Sequence, residues 1–181
     1  MEPKDIKYHQ AKWKYRGKER PPFALPTTED QESVWDYPRP PVMNKVQKEI
    51  TVHSLNQVPI AHTANAIRIL ETASPPTVYI PPKDVDFGKL NKVHSSSFCE
   101  WKGEAEYWEL KEAPGRPIAW SYHSPRSPYE GIKDYVSFYP SRTICVMNGE
   151  RVQPQKSEFY GGWVTKAIVG PFKGEPGTSG W

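Results

Sequence analysis

Thr143–Val152, TICVMNGERV, is the stretch whose reading decides the fold class. Thr143 to Met147 is β-branched and apolar, Glu150 to Val152 resumes the run, and Asn148-Gly149 lies between. Asn-Gly accepts the positive φ angles of a tight primed turn, whose twist matches two antiparallel strands. The segment predicts a β-hairpin.

Short apolar runs broken by turn residues recur on both sides of it. Upstream, Tyr135–Tyr139 reads as a strand, preceded by a helical turn near Tyr129–Ile132. Ile118–His123 is another, with Ala119 and Ser121 opposite Trp120 and Tyr122. In Glu104–Leu110, alternation puts Glu104, Glu106, Trp108 and Leu110 on one face. Thr77–Ile80 is a strand stopped by Pro81-Pro82, and Asp84–Asp86 suggests a helical turn. Ala66–Thr72 fits two periods. As a strand it puts Ile67, Ile69 and Glu71 on one face and Arg68 with Leu70 on the other; as a helix it pairs Arg68 with Glu71. The flanks favour the strand. Ile50–Val52 and Ile60-Ala61 are short strands around a polar turn at Asn56-Gln57. Ser33–Tyr37 leads into Pro38-Arg39-Pro40-Pro41, an extended edge segment. Downstream, Gly161 to Gly174 is strand and loop. There are no internal repeats.

Composition agrees with this reading. The 181 residues suit one domain with an extension, long enough to bury a core without staples. Twenty prolines and twelve glycines are too many for a helical bundle, while seven Trp, ten Tyr and six Phe are too many for a disordered chain. Residues 1–31 stand apart. From Lys7 to Arg20 six Lys/Arg meet one Glu, with Trp13 and Tyr15 inside the run and Pro21-Pro22 after it. This is a basic, aromatic-containing N-terminal extension, either docked on the domain by its aromatics or left solvated. Residues 32–181 are the single β-rich domain. The formal charge of +3 does not argue for nucleic acid. No apolar run approaches the ~20 residues of a membrane span, and no leader pattern opens the chain. A cytoplasmic protein with free thiols is the expectation.

The two cysteines, Cys99 and Cys145, have no close Cys neighbour, and the five histidines form no HExxH or i,i+4 pair. A structural zinc site is therefore not expected. Phosphate-loop, dinucleotide and nucleophile-elbow motifs are absent, and no cofactor is implied. Four other features carry chemistry, one of them the glycine-rich terminus, whose backbone amides form either an anion-binding nest or ordinary turns. In Cys99-Glu100-Trp101-Lys102-Gly103 an ammonium close to a thiol favours thiolate, which suits a nucleophile. The simpler alternative is a small buried Cys99 beside a surface Lys102. Trp120-Ser121-Tyr122-His123 puts alternate aromatics on one face, as a pocket wall or as core. Arg68 with Glu71 is a surface pair or a buried polar anchor.

These stretches resemble the bacterial domain-of-unknown-function family numbered 427, sometimes labelled nucleotidyltransferase-like. The resemblance rests on ESVWDYPRPP (32–41), ILETASPPTVYIPPKDV (69–85), CEWKGEAEYW (99–108) and AWSY (119–122). It continues through YVSFYP (135–140), GERVQPQ (149–155), FYGGWVT (159–165) and residues 168–181. The resemblance implies a compact, mainly antiparallel β fold similar to the β-tent class, with one or two short helical turns. That class includes zinc-pinned domains; here a packed core would take the metal's place. The family's Cys-Pro-Tyr-Lys-Gly appears as Cys99-Glu100-Trp101-Lys102-Gly103, with Glu100 in place of proline. Arg68, Glu71, Tyr79, Trp120 and Tyr122 fall on family motif positions, which implies one polar and aromatic pocket. The nucleotidyltransferase label lacks the Gly-Ser and paired carboxylates that two-metal phosphoryl chemistry needs.

Three functions follow as expectations. The first is a binder of a small polar or anionic ligand, with Arg68 and Lys102 offering charge, Glu71 a polar contact, and Tyr79, Trp120 and Tyr122 cover. The second is a cysteine-dependent enzyme using Cys99 as nucleophile, with Lys102 and a distant His. The third is a protein- or nucleic-acid-interaction module acting through the basic arm.

Overall fold

The computed structural model describes residues 7, 8 and 10–181. Of the expected N-terminal extension, residues 1–6 and 9 lie outside the described residues. In chain order the strands are β1 (Glu32–Ser33), β2 (Val42–Val46), β3 (Ile50–His53), β4 (Pro59–Thr63), β5 (Ala66–Glu71), β6 (Ser74–Ile80), β7 (Leu90–Cys99) and β8 (Gly103–Leu110). They continue as β9 (Ala119–Ser121), β10 (Val136–Phe138), β11 (Ile144–Met147), β12 (Glu150–Arg151), β13 (Gln153–Pro154), β14 (Trp163–Val164) and β15 (Ile168–Val169). Three 3-10 turns, at Pro82–Asp84, Phe87–Lys89 and Glu130–Ile132, interrupt them.

The protein is mainly β, and its large sheets are antiparallel, as the sequence predicts. A seven-stranded sheet runs β2-β5-β6-β10-β9-β8-β7, and a four-stranded sheet runs β12-β11-β3-β4. The hairpin expected at Asn148-Gly149 is present. Met147 pairs with Glu150, and both turn residues have positive φ, 50° and 79°.

Alternation along the strands builds the two faces of the large sheet. Val78, Ile80, Ala119, Val136 and Phe138 point to one side. There they bury against Ile50, Val52 and Cys145 of the small sheet, with Trp163 closing the layer. Tyr79, Trp120 and Tyr122 point to the other side, into a second, aromatic cluster with Trp101, Tyr129 and Tyr139. The sheets are thus held by a packed core. Among the described residues, no group of three or more His, Cys, Asp or Glu is placed to hold a metal. No helix among them is long and apolar enough to cross a membrane.

A third cluster joins both ends of the chain. Residues 32–33 pair in parallel with 168–169, and Trp35, fully buried, sits among Tyr15, Phe23 and Trp181. The extended edge segment expected at Ser33–Pro41 is therefore corrected. Asp36 N–H bonds Ser33 C=O at 3.1 Å, turning the chain so that Val34 and Trp35 face inward. The apolar residues of this segment gain more by filling a core than by lining an edge.

Two strands carry little apolar signal and go unread in the sequence. β7, LNKVHSSSFC, is the longest strand and forms one edge of the large sheet. Most of its side chains are exposed, so no face needs to be apolar. β2 forms the other edge. β6 begins at Ser74, before Pro75-Pro76, and there it pairs only with β5, so the missing N–H groups break no ladder on the free side.

Candidate functional site

The aromatic face of the large sheet encloses a cavity of about 190 Å³. That is far more than a single water needs, yet below the ~300–1,000 Å³ of pockets for drug-sized ligands. β5 and β6 supply Ile69, Glu71, Thr77 and Tyr79. β8 and β9 supply Ala105, Tyr107 and Trp120, and Tyr122 follows directly. The turn between β7 and β8 contributes Cys99, Glu100, Trp101 and Lys102.

That turn is shaped locally. Cys99 pairs with Gly103, closing a three-residue loop, and Gly103 takes φ +97° where a side chain would be strained. Arg126 N–H bonds Lys102 C=O at 2.9 Å and pins the loop. Lys102 is buried at 8 % exposure, and among the described residues no carboxylate lies within salt-bridge distance of its ammonium. Burial alone would lower its pKa. Cys99, Tyr79 and Glu71 oppose burial, and the net shift is upward. Cys99 lines the cavity together with Lys102 and Tyr122, and the Lys102 ammonium lies 5.8 Å from the Tyr122 ring centre.

The phenols are neutral. Burial raises the pKa of Tyr79 and of Tyr122. The Trp120 Nε1–H donates to Tyr79 Oη at 3.1 Å, fixing both rings. Trp120 also packs against the backbone at Gly161, where a methyl group would collide with its ring. The cavity is thus a rigid aromatic box with a buried cation and a thiol at one end.

Of the seven site residues expected from sequence, six line this cavity: Glu71, Tyr79, Cys99, Lys102, Trp120 and Tyr122. Arg68 does not join them. Strand alternation puts it opposite Val78, on the other face, where it pairs with Glu32 at 2.9 Å. The guanidinium near Glu71 is Arg39, whose side chain is fully buried and whose Nε donates to Glu71 Oε1 at 3.1 Å. Arg39 also donates to Thr72 C=O and Tyr15 C=O, at 2.8 and 3.0 Å. Neither His94 nor His123 lines the cavity; His123 bonds Asp134 at 2.7 Å.

Among the lining residues outside the expected set, Lys173, Trp13 and Tyr160 come from beyond the strands of the large sheet. Lys173 is 4 % exposed, and burial first, then Arg39, lowers its pKa to about 8. Trp13 of the extension donates from Nε1 to Glu100 Oε1 at 3.1 Å. Tyr160 completes this end. No motif singles out Lys173; only its place within an aromatic, glycine-rich terminus hints at burial.

An antiparallel β domain that closes an aromatic, cation-bearing cavity on one sheet face is the class the fold defines. The chain belongs to the family described as a domain of unknown function (DUF427), whose profile matches residues 42–149. That span holds the large sheet and the six expected residues, while Trp13, Tyr160 and Lys173 lie beyond it. No curated protein matches the chain.

Proposed function

We propose that the protein binds a small anionic ligand in the cavity, with the Lys102 ammonium taking its charge and Tyr79, Trp120 and Tyr122 enclosing its apolar part. One observation carries the reading: Lys102 is buried without a carboxylate in salt-bridge reach, among neutral phenols. A charge kept out of water needs a partner, and a ligand anion supplies it. A hydrogen bond to a charged group contributes about 1.5–3 kcal/mol, so Lys102→Met should weaken binding roughly 10- to 150-fold. Melting temperatures measured with acetate, benzoate and phosphate provide the test. At least one anion should raise the melting temperature of the wild type and leave Lys102→Met unmoved. Equal responses of both proteins to every anion would refute the reading. A bacterial cytoplasm, where Cys99 stays reduced, is the setting we propose.

A second reading has one observation in its favour. Cys99 lines the cavity with the Lys102 ammonium and the Tyr122 phenol, groups that suit a nucleophilic thiol, although no histidine lines the cavity to act as base. Alkylation of Cys99 at pH 7 faster than a model thiol would support it; a slower rate removes it. The third expectation, a basic arm gripping nucleic acid, has less in its favour. Arg20 is paired to Asp36, and Arg16 bonds Gln10 C=O.

A further inference from the structure

Trp13 sits at the cavity in a way that separates it from ordinary packing. Its ring centre lies 3.2 Å from Lys173 Nζ and 4.6 Å from the Arg39 guanidinium carbon. Both cations are buried. At the ring edge, Nε1–H meets the Glu100 carboxylate at 3.1 Å. Cations against the face and an acid at the N–H edge complement an indole in both quadrupole and hydrogen bonding. Lys173 Nζ also lies 5.6 Å from the Tyr160 ring centre, and among the described residues no carboxylate lies within salt-bridge distance of it. Trp13 itself belongs to no sheet. It is carried by the N-terminal segment, whose other contacts nearby include Gln10 to Glu100 C=O and Arg39 to Tyr15 C=O.

We propose that Lys173, Arg39 and Glu100 form an aromatic subsite of the cavity, filled in cis by the Trp13 indole, and that its ligand in trans is a small aromatic anion with a ring N–H. The ring of such a ligand takes the place of Trp13, and its acid group reaches Lys102, which lines the same cavity. This rests on the anion-binding reading for the Lys102 end only; the ring subsite stands on separate residues. The matched family span ends before Lys173 and begins after Trp13.

The test uses the full chain with Trp13→Ala, and indole, indole-3-acetate and acetate as probes. Trp13→Ala should melt below the wild type, and indole should restore part of the loss while leaving the wild type unmoved. Calorimetry should give indole-3-acetate at least tenfold tighter binding to Trp13→Ala than to the wild type. Adding Lys102→Met should erase the advantage of indole-3-acetate over indole and spare the indole rescue. If that advantage survives, the anion reading fails and the ring subsite stands. If indole neither restores Trp13→Ala nor binds it better than wild type, the subsite is overturned. Trp13→Phe keeps a ring but loses the bond to Glu100, so it covers the case in which the alanine variant does not fold. It should bind indole-3-acetate at least threefold tighter than wild type, and equal binding overturns the proposal.

Discussion

Replacing Glu71 with glutamine removes one charge and little else. Glutamine keeps an oxygen that accepts from Arg39 and from Trp101 Nε1, which now reach Glu71 Oε1 at 3.1 and 3.3 Å. What changes is that the Arg39 guanidinium, with no exposed side-chain surface, loses its paired carboxylate. Two unit charges about 4 Å apart attract by ~4 kcal/mol at an effective dielectric of ~20. Losing one partner of a buried pair costs about 3–5 kcal/mol. Glu71 is 21 % exposed, so water screens part of this, and about 2–3 kcal/mol is the expected loss. At this chain length that lowers the melting temperature by roughly 5–10 °C. Arg68 and Glu32 provide the control. Their N–O distance of 2.9 Å is shorter, but the side chains are 24 % and 40 % exposed. Glu32→Gln should therefore cost under about 1 kcal/mol. Urea unfolding of the two variants, with the Arg39→Met single and the Arg39→Met/Glu71→Gln double variant completing a cycle, measures the difference. The cycle should show a coupling of at least ~1 kcal/mol between Arg39 and Glu71. A Glu71→Gln cost no larger than that of Glu32→Gln would refute the view that burial, not distance, sets the strength of these pairs.

Other outcomes follow from single features. Cys145 is fully buried, and burial pushes its thiol up to about 12, so iodoacetamide at pH 7.5 should label Cys99 alone; labelling of both in the folded chain would contradict that burial. Lys173 holds its proton only to about pH 8, against 10.5 in the unfolded chain, with Arg39, Glu71, Glu100 and Lys12 the charges around it. Between those values the unfolded chain binds the extra proton, so stability rises with pH. From pH 8 to 9.5 the wild type should gain stability relative to Lys173→Met, and a constant difference would show that the amine titrates normally. Gly161→Ala should push the Trp120 ring and cost about 1–3 kcal/mol, with the anion-induced melting shift reduced; a neutral effect in chemical denaturation would mean that the ring has room to move.

The sequence shows strands wherever one face is apolar. Asn148-Gly149 and the alternation at Trp120 and Tyr122 are local signals, and the structure repeats them. β7 lacks such a signal because an exposed edge strand is held by its neighbour's backbone. The cavity was legible in part for the same reason. Tyr79, Trp120 and Tyr122 share a face by strand period, and Cys99 and Lys102 share a turn. The period also separates Arg68 from Glu71, so only a strand reading applied to both residues would have kept Arg68 out. Arg39, Trp13 and Lys173 meet there through contacts between distant parts of the chain, which no local pattern encodes.

The parallel pairing of Glu32–Ser33 with Ile168–Val169, and the stacking of Phe23 on Trp181 at 4.9 Å, impose an order on biosynthesis. The docking surface of residues 13–35 is incomplete until residues 168–181 have left the ribosome, because long-range pairing waits for both partners. The strands that wall the cavity are complete much earlier. On the proposed reading, a ligand present during synthesis meets the strand walls of the cavity before Lys173 is made and Trp13 settles against it. Refolding with indole-3-acetate present should retain more of it through rapid desalting than adding it afterwards for the same brief time; equal retention would mean that the arm closes and opens faster than the ligand arrives.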